Sequence, residues 1–304
     1  MELGMVGLGR MGGAMALRLL RGGHRVVAHD LSRDAVQAAA SKGAVAALAL
    51  NQLVSSLSRP RVIWLMLPQG EPTGSTMDAL IPLLARGDIV IDGGNANYKD
   101  TLGRVPRFEA EGIEFLDCGT SGGIWGLEGG YSLMVGGSKA AFQHIEPILQ
   151  TLAPASDKGY GHVGPHGAGH FTKMVHNAVE YGLMQAYVEG FEVLAAKQEF
   201  ALDLAAISNI WSHGSVVKSW LLERVSDALH DPEPLDKVKA YVEDTGEGRW
   251  MVKEAIDLAI PAPVLTLALF ERFRSRYPDA FSHKLLARLR NIFGGHEVRM
   301  TDGR

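Results

Sequence analysis

The sequence predicts an α/β fold: a doubly wound, mostly parallel sheet through about residue 165, then an all-helical region from 166 to 304. Three observations predict it. Short apolar runs alternate with Ala- and Leu-rich stretches of helical spacing through the first half. A Gly-X-Gly-X-X-Gly turn, Gly7 to Gly12, follows directly on the first of those runs. After Gly164-Pro165-His166-Gly167 the strand signals stop and apolar positions recur only at helical spacing.

Taken in order, Leu3 to Val6, Arg25 to His29, Arg61 to Leu67, Asp88 to Asp92 and Ile113 to Asp117 read as strands, each bounded by Gly, Pro or Asp. Tyr131 to Val135 and Gly161 to Gly164 close the set. Ala168 to about Glu199 carries no breaker except Gly182 and Gly190 and reads as one long helix. Helices are expected over 202–211, 216–229, 250–259 and 264–276, with Asp231-Pro232-Glu233-Pro234 as a loop. Trp64, Trp211 and Trp220 are expected in the core.

Composition excludes several classes. The 304 residues are 46% hydrophobic and 21% charged, the balance of a globular protein, with a net charge of −4. A pI near 6.3 lacks the basic footprint of a nucleic-acid binder. The single cysteine, Cys118, excludes an intrachain disulfide framework, and its position suggests a small buried residue rather than a nucleophile. The 11 histidines show no HExxH or Cys/His spacing, so no metal site is expected. No apolar run reaches the ~18–20 residues of a membrane span, and Met1-Glu2-Leu3-Gly4 has no basic leader, so the expected location is cytoplasmic.

The glycines carry the chemistry. In Gly7-Leu8-Gly9-Arg10-Met11-Gly12 the first glycine permits a tight turn, the second lets a pyrophosphate approach, and the third lets helix and strand pack. Unpaired N–H groups at the helix start then face the anion. The context of a preceding strand, a following helix and Asp30 at the end of the next strand makes this a Rossmann-type dinucleotide site. The Asp30 carboxylate suits the ribose hydroxyls of NAD and repels the 2′-phosphate of NADP by about 1 to 4 kcal/mol per charge pair at ~4 Å. NAD is therefore the expected cofactor, with NADP disfavoured. Asp30 could equally serve as N-cap of a helix over 32–41. Two further turns, Asp92-Gly93-Gly94-Asn95 and Gly119-Thr120-Ser121-Gly122-Gly123, fall directly after strands, where ligands of open α/β sheets bind.

The long helix reads Gly167-Ala168-Gly169-His170-Phe171-Thr172-Lys173-Met174-Val175-His176-Asn177-Ala178-Val179-Glu180-Tyr181. At 3.6 residues per turn Lys173, Asn177 and Glu180 share an arc of ~60° and spread over ~10 Å, the length of an extended six-carbon sugar acid. His176 and Tyr181 flank them. Such a stripe could be a solvated face, but Phe171, Met174, Val175, Val179, Leu183 and Met184 make the helix apolar elsewhere, so the stripe is expected to face a crevice.

With these residues in hand, the sequence resembles the decarboxylating 6-phosphogluconate dehydrogenases, within the wider β-hydroxyacid dehydrogenases. The matching segments are GLGRMG at 7–12, DGGNANYKDT at 92–101, TSGG at 120–123, GAGHFTKMVHNAVEYG at 167–182, GEGRW at 246–250 and RNIFGGH at 290–296. The chain is similar to the short, NAD-preferring form. The resemblance implies an N-terminal NAD-binding domain (1–165) and a helical domain (166–304) for substrate and oligomerisation. It implies Lys173 as general base and Glu180 as general acid. Asn95, Ser121, Gly122, Gly123, His176, Asn177, Tyr181 and Arg272 would be substrate ligands. Arg290 and His296, in a C-terminal tail, would reach a neighbouring subunit's site in a homodimer or tetramer. Leu67 and Asn95 would join Gly7, Leu8, Gly9, Arg10, Met11, Gly12 and Asp30 at the cofactor. Two departures stand out: Thr245 replaces a phosphate-binding lysine, and Ile124-Trp125 replaces two glutamates.

The implied reaction is oxidation of 6-phosphogluconate at C3, loss of carbon dioxide and protonation at C1, giving ribulose 5-phosphate. A lysine base working near neutrality needs a pKa lowered from ~10.4 to about 7–8, about 3–5 kcal/mol. Two alternatives remain at this stage. A 3-hydroxyisobutyrate-type dehydrogenase would share the base but leave Glu180, Arg272, Arg290 and His296 unexplained. A non-catalytic dinucleotide sensor would not need Lys173, Asn177 and Glu180 together.

Overall fold

The computed structural model describes residues 1–232, 235–277, 279–294 and 297–299. The chain divides into two compact units, Met1–Asn177 and Ala178–Arg304.

The first unit is built on eight strands: β1 (Glu2–Val6), β2 (Arg25–His29), β3 (Val45–Ala46), β4 (Val62–Leu65), β5 (Ile89–Asp92), β6 (Glu114–Ser121), β7 (Ser132–Gly137) and β8 (Tyr160–Gly164). Their order is β3-β2-β1-β4-β5-β6-β7-β8. All neighbours are parallel except β6 and β7. Central strands such as Val62–Leu65 are buried along their whole length, as a sheet covered on both faces requires. The connecting helices are α1 (Arg10–Arg21), α2 (Arg33–Ala40), α3 (Leu50–Ser55), α4 (Glu71–Leu80), α5 (Tyr98–Ala110), the short α6 (Gly126–Gly129) and α7 (Lys139–Leu152). They make two cores. One gathers Met15 and Leu19 of α1 and Ile145, Ile148 and Leu149 of α7 against Leu116 and Cys118 of β6. The other gathers Leu53, Met77 and Phe108 against Ile63, Val90 and Phe115. Alternate residues of β6 therefore serve opposite faces, as the period of two dictates.

Helix α8 (Ala168–Ala196) follows, then α9 (Leu204–Trp211), α10 (Trp220–His230), α11 (Glu247–Asp257), α12 (Pro263–Arg274) and α13 (Phe281–Gly294). The α/β-then-α order agrees with the sequence reading. Several details differ from it. The edge strand β3 has only two residues, both exposed, inside the unbroken apolar run of residues 44–50, which has no alternation to mark a strand. β6 does not stop at Asp117 but runs through Gly119, Thr120 and Ser121, because antiparallel pairing with β7 (Thr120 to Leu133, Ser121 to Ser132) holds them extended. α10 begins at Trp220 because the Ser219 hydroxyl accepts the Leu222 N–H at 3.1 Å. Trp220 itself is half-exposed and lies under the Arg224 guanidinium at 5.1 Å, whereas Trp64 is fully buried.

Candidate active site

The first group of site residues is built on the carboxyl ends of β1, β2, β4 and β5. Gly7 has φ +91°, a left-handed conformation that favours glycine. A Cβ on Gly12 would meet the Gly7 carbonyl oxygen at 2.0 Å, so α1 packs directly on the turn. Above Gly9 nothing lies within 4 Å. That residue caps α1 without a side chain, leaving the helix-start N–H groups for an incoming anion. A cleft of about 990 Å³ opens here, and Gly7, Gly9, Arg10, Met11 and Gly12 line its turn side. Asp30, Leu67 and Asn95 line it further out. Leu8 is not in the lining; its N–H donates to Asp30 Oδ2 at 2.7 Å. The other oxygen, Oδ1, accepts the Ser32 N–H at 2.8 Å. Asp30 thus ties the glycine turn to the start of α2. The helix cap is Ser32, whose hydroxyl accepts the Ala35 N–H at 3.3 Å, and not Asp30. Open space over Gly9, free helix-start donors and a carboxylate at the next strand end fit a dinucleotide.

At the end of β5 the turn is shaped from below. Asp92 is buried, accepts the Gly94 N–H at 3.2 Å and pairs with Arg104 at 3.2 Å. A Cβ on Gly93 would meet Trp64 Nε1 at 2.1 Å, so this turn lies flush on β4 and presents Asn95, which is exposed.

The second group lies where β6 meets the first turns of α8. Lys173 is only 8% exposed. Its Nζ donates to Asn177 Oδ1 at 2.5 Å and stands 3.3 Å from His176 Nδ1. The opposite ring nitrogen, His176 Nε2, is 3.3 Å from Ser121 Oγ. Ser121 of β6 and Lys173, His176 and Asn177 of α8 therefore form one connected polar network. Gly122 and Gly123 follow with φ +133° and +53°. Cys118, fully buried beside Thr120, has its thiol pushed up to about 12 by burial.

Within the second unit, α8 continues through Glu180, which is half-buried, and Tyr181, which is buried. The Arg272 guanidinium lies 3.5 Å over the Tyr181 ring and donates to the Glu243 carbonyl at 2.8 Å. Among the described residues it has no carboxylate partner. Its neighbours Arg249 and Arg276 are both held by Asp244, Arg249 at 2.6 Å, and hydrogen bonds from Arg249 lead the effects that hold that carboxyl down at about 2. Thr245 hydroxyl donates to Glu247 Oε2 at 2.5 Å and lies 3.4 Å from Tyr181 OH. Sequence reasoning missed Asp244, an acid just ahead of GEGRW with no local signal, and gave no role to Glu247 inside that segment, which only the folded chain shows to be buried. Arg290 is exposed on α13, which continues through it where a tail beyond the helix was expected. His296 lies outside the described residues.

A dinucleotide cleft in an α/β unit, with a lysine–imidazole–amide network on the helix that follows, defines the class: an NAD-binding dehydrogenase with a helical second part. Residues 2–164 match the NAD binding domain of 6-phosphogluconate dehydrogenase, and residues 169–284 match the C-terminal domain of the same enzyme. The chain belongs to the 6-phosphogluconate dehydrogenase family. A Haloferax volcanii relative, an NAD(+)-dependent, decarboxylating 6-phosphogluconate dehydrogenase, is 46% identical over 99% of this chain and 100% of its own length. The Bacillus subtilis NAD(+)-dependent, decarboxylating enzyme is 36% identical over 90% of this chain, which spans 61% of that longer protein. Among solved structures, Plasmodium falciparum 6-phosphogluconate dehydrogenase superposes with a TM-score of 0.83 at 26% identity, covering 100% of this chain and 67% of that one. A Mycobacterium tuberculosis 3-hydroxyisobutyrate dehydrogenase shares the fold at 22% identity and a TM-score of 0.70, covering 91% of this chain and 94% of its own.

Proposed function

We propose that this chain converts 6-phospho-D-gluconate to D-ribulose 5-phosphate and carbon dioxide with NAD, in the cytoplasm and as a homo-oligomer. The observation that carries the reading is Lys173, a buried amine held by Asn177 and His176 at the end of β6, in the same unit as the dinucleotide cleft. Gly7–Gly12, Leu67 and Asn95 would hold NAD, which would supply the hydride acceptor for oxidation at C3. Lys173, in its neutral form, takes the proton of the 3-hydroxyl and then, as an ammonium, stabilises the C3 oxyanion while the β-keto acid loses carbon dioxide. Glu180 delivers the proton to C1 of the resulting enediol. Asn95, Ser121, Gly122, Gly123, His176 and Asn177 hold the sugar-acid hydroxyls and carboxylate. Tyr181 and Arg272 take the phosphate; among the described residues the Arg272 guanidinium has no carboxylate partner and lies over the Tyr181 ring. Arg290 and His296 of a neighbouring copy complete that grip. Asp30 selects NAD over NADP by charge.

Assaying NADH formation and carbon dioxide release together with 6-phosphogluconate tests the reading. Equimolar products support it. NADH from 3-hydroxyisobutyrate without carbon dioxide would replace it with a simple β-hydroxyacid dehydrogenase. Tight NADH binding with turnover of neither substrate would leave a sensor.

A further inference from the structure

Helix α8 starts without a cap of its own. The residue before it is Gly167, φ +85°, which has no side chain to receive the N–H groups of the first turn. In a self-capped helix the cap side chain takes the N–H three residues on, and an acid there reaches back to the cap residue's own N–H. Here a single carboxylate from another element does both. Asp117 of β6, fully buried, accepts the Gly167 N–H at 2.7 Å on Oδ1 and the His170 N–H at 2.8 Å on Oδ2.

The same face of β6 touches α8 twice more. A Cβ on Gly119 would meet Lys173 Cβ at 2.4 Å and the Gly169 carbonyl oxygen at 2.7 Å, and Ser121 reaches His176. Residues 117, 119 and 121 step along one side of a strand, and they meet the helix in its first turn, at Lys173 and at His176. Across the sheet, Gly136 pairs with Asp117, and a Cβ on it would lie 2.6 Å from Asp117 Oδ1 and 2.8 Å from the Gly169 nitrogen. Small residues thus clear the space in which the carboxylate fixes both the axial position and the rotation of the helix.

We infer that Asp117 is a positioning residue for Lys173: it caps α8 from β6 and so sets where the amine stands relative to Ser121, His176 and the substrate. This rests on the reading of Lys173 as the base. Asn at 117 keeps the shape but offers one acceptor oxygen to two donors and turns an amide N–H₂ toward the second. A displacement of about 1 Å at a reacting group lowers turnover by up to ~10²-fold.

The test compares wild type, Asp117→Asn, Gly119→Ala and Lys173→Met, with each kcat expressed per NADH-binding site titrated by fluorescence. For Asp117→Asn the expected result is a loss of about tenfold to a hundredfold in kcat per site, with KM for NAD unchanged and NADH stoichiometry retained. Gly119→Ala, which leaves the cap intact but pushes on Lys173, is expected to show the same split. Wild-type kcat per site in Asp117→Asn would overturn the inference. So would a loss that merely tracks lost NADH sites, which a purely structural role produces. If Asp117→Asn does not fold, Asp117→Glu, which keeps two acceptor oxygens on a longer arm, is measured in its place, and unchanged kcat per site in it overturns the inference. An active Lys173→Met enzyme would instead remove the reading of Lys173 as base, whatever the other two variants do.

Discussion

The first unit encloses its apolar core and pairs its buried acids, whereas the second leaves far more apolar surface in water. In Met1–Asn177 the sheet is covered on both faces, and the buried acids are all engaged: Asp88 with Arg61, Asp92 with Arg104, Asp117 with a helix start. In Ala178–Arg304 the described core cluster around Tyr181, Ala268 and Leu269 is small. Large apolar side chains stand in water: Val193 at 71%, Ile256 at 72%, Phe281 at 76%. Leu285, Leu286 and Leu289 are more than half exposed on α13. Exposed apolar side chains of this kind suit association, and the proposed homo-oligomer would cover them. The proposed base and the cofactor cleft lie in the first unit, whereas most of the large exposed apolar side chains lie in the second.

The sharpest way to break that separation is Lys173→Met. It is expected to cost at least 10²–10⁴-fold in turnover while leaving NADH affinity and oligomer size unchanged, as fluorescence titration and light scattering would show. A change of oligomer size would mean that the two functions are not separable. Next comes the second unit: Leu285→Asp combined with Leu289→Asp should yield folded monomers that bind NADH but turn over little. Mixing inactive Lys173→Met with inactive Arg290→Ala subunits should restore activity in hybrids. Hybrids that form, by native mass spectrometry, yet stay inactive would show that Arg290 acts within its own chain.

A smaller effect sharpens the picture of how the second unit holds its own shape. Asp244, drawn down to about 2 by Arg249 and Arg276, has a folded value below its unfolded one. Its stabilisation is therefore fully present above pH ~4 and disappears as the pH falls through 2. Asp244→Asn should lower stability by about 2 kcal/mol at neutral pH, with the gap to wild type closing in acid; a gap constant with pH would refute the charge pairing as its source. The smallest effect expected is in the first unit. Wild type should favour NAD over NADP by about tenfold in kcat/KM, and Asp30→Asn should narrow the ratio, because like charge at ~4 Å is worth about 1 to 4 kcal/mol. Equal kcat/KM values in wild type would reject the role of Asp30.

What the sequence discloses and what it conceals follow the range of the interactions. The glycine turn at 7–12, the Asp30 strand end and the Lys173 helix are local patterns, and each lies where the reading places it. Thr120 and Ser121 look like a loop because polar residues beside glycine usually turn; only their partner strand, eleven or more residues on, keeps them extended. Asp117 reads as the end of a strand, and its two acceptors are used 50 and 53 residues later. Nothing around Glu247, inside the GEGRW segment, signals that the fold buries it. Trp220 misleads in the other direction, since its size suggests the core while its place at the start of α10 leaves it half in water.

The burial of Cys118 has a practical consequence. A fully enclosed thiol held protonated up to about 12 does not react with maleimides or iodoacetamide in the native protein. The chain is thus a ready-made blank for bioconjugation: a cysteine introduced at one exposed position, Leu31 in the first unit or Phe281 in the second, takes a single dye without first mutating the wild-type residue.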